Sequence, residues 1–193
     1  MSNFKLKTMK TIKLLAILFI SSLTLLSCSS DDDNNDNHDH EEELITTVIY
    51  TLINNADATD TVLLTFTDID GEGGADGVYD VQGSFTANAM YTGALTLWNA
   101  TENPAENITL EVEEEGDEHE FFYTNTAGLT ITKVDTDNNG NPIGIATSIA
   151  TGDAGNGTLT VILKHEPTKP NDGTSSGAGG STDVEVTYLI TVQ

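Results

Sequence analysis

From Leu44 onward the apolar residues recur at every second position, a period that confines the chain to half-buried strands. Val48, Tyr50 and Leu52 share one face of the first run, and Val62, Leu64 and Phe66 one face of the next. Tyr91, Leu95 and Leu97 alternate around Gly93. Leu129 with Ile131, Ile143 with Ile145, and Leu159, Val161 and Leu163 follow, and Val184, Val186, Tyr188, Ile190 and Val192 close the chain. Turn chemistry separates these runs at Asn54-Asn55, Asp70-Gly71, Asn139-Gly140 and Asn156-Gly157. Short alternating strands at this spacing predict a mainly β fold, a single antiparallel β-sandwich over 44–193. The composition agrees: Thr, Val and Ile are plentiful and Arg is absent. A lone Cys rules out an intramolecular disulfide and any Cys-rich zinc site. A domain of this length can hold itself together by its core.

One segment departs from the alternation. Asn103-Pro104-Ala105-Glu106-Asn107 reads as an N-cap, a proline at the first helical position and an acid in the first turn. Ile108, Val112 and Gly116 follow at helical spacing, although Ile108, Leu110 and Val112 also alternate as a strand would. Glu-rich turns make poor strand, so the segment predicts one short helix from Pro104 to about Glu118. Phe121-Phe122-Tyr123 resumes extended structure.

The start of the chain is of another kind. Lys5, Lys7, Lys10 and Lys13 precede the apolar run Leu14-Leu15-Ala16-Ile17-Leu18-Phe19-Ile20, which is too short to span a membrane. Met9-Lys10-Thr11-Ile12-Lys13 is the more usual form of start. Leu25-Leu26-Ser27-Cys28 resembles the bacterial lipobox, with Leu26 bulkier than that position usually holds. The resemblance implies a signal peptide over 1–27 and a Cys28 that carries acyl chains such as palmitate, a stable anchor when several are attached. Residues 28–43 then form an acidic tether that cannot bury apolar surface. Its first part, Ser29, Ser30, Asp31, Asp32 and Asp33, resembles the export signal of Bacteroidetes surface lipoproteins and implies display on the outer face of the outer membrane.

Charge narrows the function. All 31 acids lie beyond Cys28 against three lysines there, a formal −28 compared with −24 for the whole chain. A nucleic-acid binder needs a basic footprint, and anionic headgroups would repel this surface. Such a charge favours solubility and attracts cations.

Two loops carry calcium-like spacing. Asp68, Asp70, Glu72 and Asp76 alternate around glycines, and Asp135, Asp137 and Asn139 match the first half of an EF-hand loop. Neither loop has a carboxylate at the twelfth position, where Tyr79 and Ala146 stand. A plain Asn-Gly hairpin turn equally explains 135–141. His38, His40, His119 and His165 all sit among acids, a pairing suited to zinc; a strand-end histidine bonded to backbone is the alternative for His119 and His165. Calcium or zinc is therefore the expected cofactor. Trp98 reads as core, and 169–183 as a long polar loop between strong strands. Asp60-Thr61-Val62 fits a short Bacteroidetes O-glycosylation motif at Thr61. No nucleophile motif or phosphate-binding loop is present, so the chain is expected not to be an enzyme; a hydrolase built on paired carboxylates is the third-ranked reading.

The opening Thr47-Val48-Ile49-Tyr50-Thr51-Leu52, with Asp-Glu-His-Glu-Phe-Phe-Tyr at 117–123 and Leu-Lys-His-Glu-Pro at 163–167, resembles a family of flavobacterial surface lipoproteins often labelled "type 1 periplasmic binding fold superfamily". A periplasmic binding fold needs strands and helices alternating across two lobes, so that label does not describe a chain of this pattern. The expectation is an outer-membrane lipoprotein that binds a ligand or partner, a divalent cation first, as an accessory to an outer-membrane uptake receptor. An adhesion or structural surface module is the alternative.

Overall fold

The alternating runs become the strands of two antiparallel sheets. The computed structural model describes residues 44–71 and 74–193; Cys28, Ser29, Ser30, Asp31, Asp32, Asp33, His38, His40 and Glu72 lie outside the described residues. The larger sheet contains β1 (Thr47–Asn54), β2 (Thr61–Thr67), β3 (Val78–Gln82), β4 (Met90–Trp98), β6 (Thr130–Lys133) and β7 (Ala146–Ala150), in the order β3-β2-β1-β4-β7-β6. The smaller one contains β5 (His119–Asn125), β8 (Gly155–His165) and β9 (Ser181–Val192), in the order β5-β8-β9. Two short helices complete the described part, α1 (Ile108–Glu114) and α2 (Ser175–Ala178). The chain is thus a mainly β sandwich. Val48, Tyr50 and Leu52 of the large sheet and Phe121, Val161 and Tyr188 of the small one are wholly or almost wholly buried in one shared core.

The small sheet is covered on its outer face as well. Phe122, Ile162 and Ala178 form a second apolar cluster there. Ala178 belongs to the 166–180 segment, so that stretch folds back over the strands it connects. A strand covered on both sides needs no alternation, which explains the consecutive aromatics Phe121-Phe122.

Several sequence expectations shift. The helix begins at Ile108, not Pro104, because Glu106 and Asn99 exchange backbone hydrogen bonds that hold 106 extended. Asn107 is the N-cap, its side-chain oxygen accepting from the Thr109 N–H. The helix ends with Glu115 as C-cap, short of Glu118. Leu110 is exposed while Ile108 and Val112 are buried, which is helical and not strand spacing. Ile143 and Ile145 are not strand residues. The Ile143 carbonyl accepts from Phe121 of the small sheet and the Ile145 carbonyl from Leu95 of the large one, so this segment crosses between sheets. Asn156-Gly157 is not a turn but part of β8. Gly157 is needed because a Cβ there would lie 2.6 Å from the Ala127 nitrogen. Trp98 is half-buried at the end of β4 and lies outside the core cluster.

The β1–β2 turn is tied down by Asp60. One oxygen of its carboxylate accepts from the Tyr91 hydroxyl at 2.7 Å, Asn54 Nδ2 at 2.7 Å and Thr86 Oγ1 at 2.8 Å. The bond from Tyr91, then that from Asn54, holds the carboxyl below its ordinary value against the opposing effect of burial. A carboxyl depressed in the folded state gives stability that is complete above the unfolded value of about 3.9 and is lost as pH falls through the folded value. Asp60→Ala is therefore expected to cost about 3 kcal/mol at neutral pH, since it leaves buried donors unmatched. The cost should shrink in urea unfolding at pH values below the unfolded value, and an equal cost at both pH values would show that the ionised carboxylate is not the source.

Candidate metal centre

The two histidines that sequence placed 46 positions apart meet as one cross-strand pair. His119 is the first residue of β5 and His165 the last of β8, and they are direct partners in the ladder. Side chains alternate along a strand, so both share the inward face with Phe121 and Leu163. Their rings stack with centroids 4.7 Å apart and planes inclined by 27°. His119 is fully buried and His165 is 4% exposed. The two segments that carried the family resemblance, 117–123 and 163–167, are thus neighbours in space.

A third side chain arrives from β9. Its register against β8 shifts beside Leu163 and Lys164: Leu163 faces Val184, but Lys164 faces Thr182. Asp183 is left as the extra residue of a β-bulge, a device that re-aims a side chain. Its side chain is completely buried, with Oδ2 3.9 Å from His119 Nε2. Strict alternation from Val184 and Val186 would have turned Asp183 outward, so sequence reasoning had no reason to include it. On the other side of the pair, Glu118 Oε2 lies 3.9 Å from His165 Nε2, and the Glu118 side chain is 36% exposed.

These side chains form two overlapping groups. His119, His165 and Asp183 can each offer one ligand atom, all within 4.8 Å of one another, and so can Glu118, His165 and Glu166. Glu118 and Glu166 adjoin the histidines in sequence, a signal that was readable. Imidazole and carboxylate at this separation can hold a borderline divalent ion.

Lys169 fixes the surroundings. Its ammonium donates to the carbonyls of Gly116 at 2.5 Å and His119 at 2.6 Å, and lies 3.5 Å from Asp137 Oδ2. It thereby joins the 166–180 segment, the exit of α1 and the 135–141 turn. Nearby, Lys133 pairs with Glu120 and sits 4.2 Å from the centre of the Phe122 ring. Burial pulls the Lys133 ammonium below its ordinary value, against the pull of Glu120. Asn171 donates to the other Glu120 oxygen, which ties the same segment to β5.

The carboxylates of the EF-hand-like loop accept from backbone N–H groups. Asp135 accepts from Gly144 N–H at 2.9 Å and Ile145 N–H at 2.8 Å. Asp137 accepts from Asn139 N–H and Asn141 N–H, both at 2.8 Å. Burial would raise the Asp137 carboxyl, but the bonds from Asn141 and Asn139 and the Lys169 charge hold it low. Asn139 is exposed, and Gly140 takes φ +85° in a turn closed by a Thr136–Pro142 bridge. Asp135 and Asp137 thus brace a hairpin turn of the kind that Asn139-Gly140 offers. Asp68 accepts from Gly71 N–H and Asp70 from Ala75 N–H, and Asp76 is exposed. Among the described residues these three form no ligand group. Thr61 is exposed at the first position of β2. No protein-family model matches the chain, and neither a curated protein nor a solved structure does.

Proposed function

We propose that this chain is a lipid-anchored protein of the Bacteroidetes cell surface whose sandwich is a binding module for a divalent cation, serving as an accessory to an outer-membrane uptake receptor. The observation that carries the cation reading is the convergence of His119, His165 and Asp183 at one end of the small sheet, with Glu118 and Glu166 beside them. The net charge supports it, because a cation that binds the native state relieves self-repulsion. We read the site as a binding site, because both imidazoles are buried and stacked on each other inside the sandwich. The anchoring reading rests on Leu25-Leu26-Ser27-Cys28 and the acidic run after it. No helix among the described residues is long and apolar enough to cross a membrane.

Two measurements test the two halves. Cys28→Ala is expected to move the protein from the membrane to the soluble fraction of the cell. Retention as firm as that of the unaltered protein would exclude acylation as the anchor. A low concentration of a divalent cation is expected to raise Tm more than sodium at equal ionic strength does. Equal shifts would reduce the effect to screening.

A further inference from the structure

We propose that His119, His165 and Asp183 are the inner ligands of a transition-metal site of the zinc class, with Glu118 and Glu166 on its solvent side. This rests on the cation-binding reading and names the metal and the residues that hold it. The donor set excludes calcium as the preferred ion. Calcium takes six to eight oxygens, whereas two imidazole nitrogens and one carboxylate suit zinc and its neighbours.

Geometry supports the assignment in three ways. The three donors come from three adjacent strands of one sheet, so their backbones are fixed by the ladder and not by a loop. A tetrahedral ion with bonds near 2.1 Å sets its ligands roughly 3.4 Å apart. The donors already lie within 4.8 Å, so small side-chain rotations close the gap. The β9 bulge is the third observation, because it alone turns an aspartate into the core beside His119.

The two overlapping groups also define a way in. Glu166 is exposed and Glu118 partly so, while His119 and the Asp183 side chain are fully buried. A hydrated cation meets the outer carboxylates first. His165, common to both groups, links that position to the inner one. Binding has a structural consequence too. His165 is the last residue before the 166–180 segment leaves β8, and Asp183 stands just after the chain returns in β9. An ion held by both ties the two feet of the segment together.

The test uses the full-length chain, extracted in detergent and stripped of metal by a chelator, titrated with zinc, cobalt(II) and calcium at equal ionic strength. One zinc per chain should bind in preference to calcium. Cobalt should give the intense visible absorption of a tetrahedral site, abolished by zinc. Asp183→Asn and His119→Gln should each weaken zinc by more than about a hundredfold, as loss of a ligand exceeds loss of an outer-shell partner. Zinc should slow amide exchange across 166–180 in the unaltered chain and not in Asp183→Asn. Calcium binding as tight as zinc, or a weak octahedral cobalt spectrum, would overturn the proposal on the unaltered chain alone, whether or not the variants fold. Saturable zinc binding undiminished in both variants would overturn this site while the cation-binding reading stands. No saturable binding of any of the three ions would overturn both.

Discussion

Gly93→Val is expected to lower the stability of the sandwich by about 4 kcal/mol, the sum of an overpacking term and the loss of a buried hydrogen bond. Gly93 lies on the inward face of β4, paired with Leu52 of β1 and Thr147 of β7. A Cβ at this position would sit 2.4 Å from Thr147 Oγ1 and 2.8 Å from the Tyr50 ring. Those two side chains hydrogen-bond to each other at 2.6 Å in the core. Burial pushes the Tyr50 phenol above its ordinary range, against the opposing effect of the Thr147 bond, so the buried hydroxyl is neutral. The Tyr50 ring also contacts Tyr123 of the small sheet at 5.8 Å between centroids, so displacing it disturbs both layers. Thermal unfolding should show Tm lower by roughly 12 °C, given the scaling for a domain of this size. Gly93→Ala should show a smaller fall of the same sign. An unchanged Tm in Gly93→Val would mean that Tyr50 is not packed over β4.

Lys169→Met is expected to cost about 3 kcal/mol and to release the 166–180 segment from the small sheet, because breaking a buried charge pair strands its partner. The Lys169 side chain is 5% exposed and that of Asp137 1%. Methionine fills similar space but leaves the Gly116 and His119 carbonyls and the Asp137 carboxylate without their cation. Amide exchange should locate the damage. Thr168 N–H bonded to Ala178 and Ala178 N–H bonded to Thr174 should lose protection, while β1 and β4 keep theirs. Adding Asp137→Asn should restore part of the stability, since a neutral amide needs no cation. Unchanged exchange across 166–180 in Lys169→Met would show that the Phe122–Ile162–Ala178 cluster and the Asn171–Glu120 bond hold the segment without the lysine.

The elements that sequence missed share a physical character. β3 is an edge strand of five residues, all exposed, whose Tyr79 is only half covered by Phe66 and Tyr188, so its alternation is too short to stand out. β7 is short and built from small residues, Ala146-Thr147-Ser148-Ile149-Ala150, with only Thr147 and Ile149 buried. The expected N-cap at Asn103 failed because a non-local bridge, Asn99 to Glu106, overrode a local preference. Asn156-Gly157 failed as a turn for a similar reason, since the close approach of Ala127 and not a reversal of the chain demands its glycine.

The candidate site divides along the same line. The acids around His119 and His165 were legible, because Glu118 and Glu166 are their chain neighbours and alternation assigns each histidine a face. Sequence by itself therefore determined a β fold, its strongest strands, the inward residues of those strands and two histidines in acidic settings. Periodicity reports which way a side chain points on its own strand, and nothing more. Only the tertiary structure set β5 beside β8 in the register that stacks the two rings, and only the bulge in β9 turned Asp183 inward. Register and bulges are fixed by the pairing of distant strands, and a single residue's slip reverses a side chain from solvent to core.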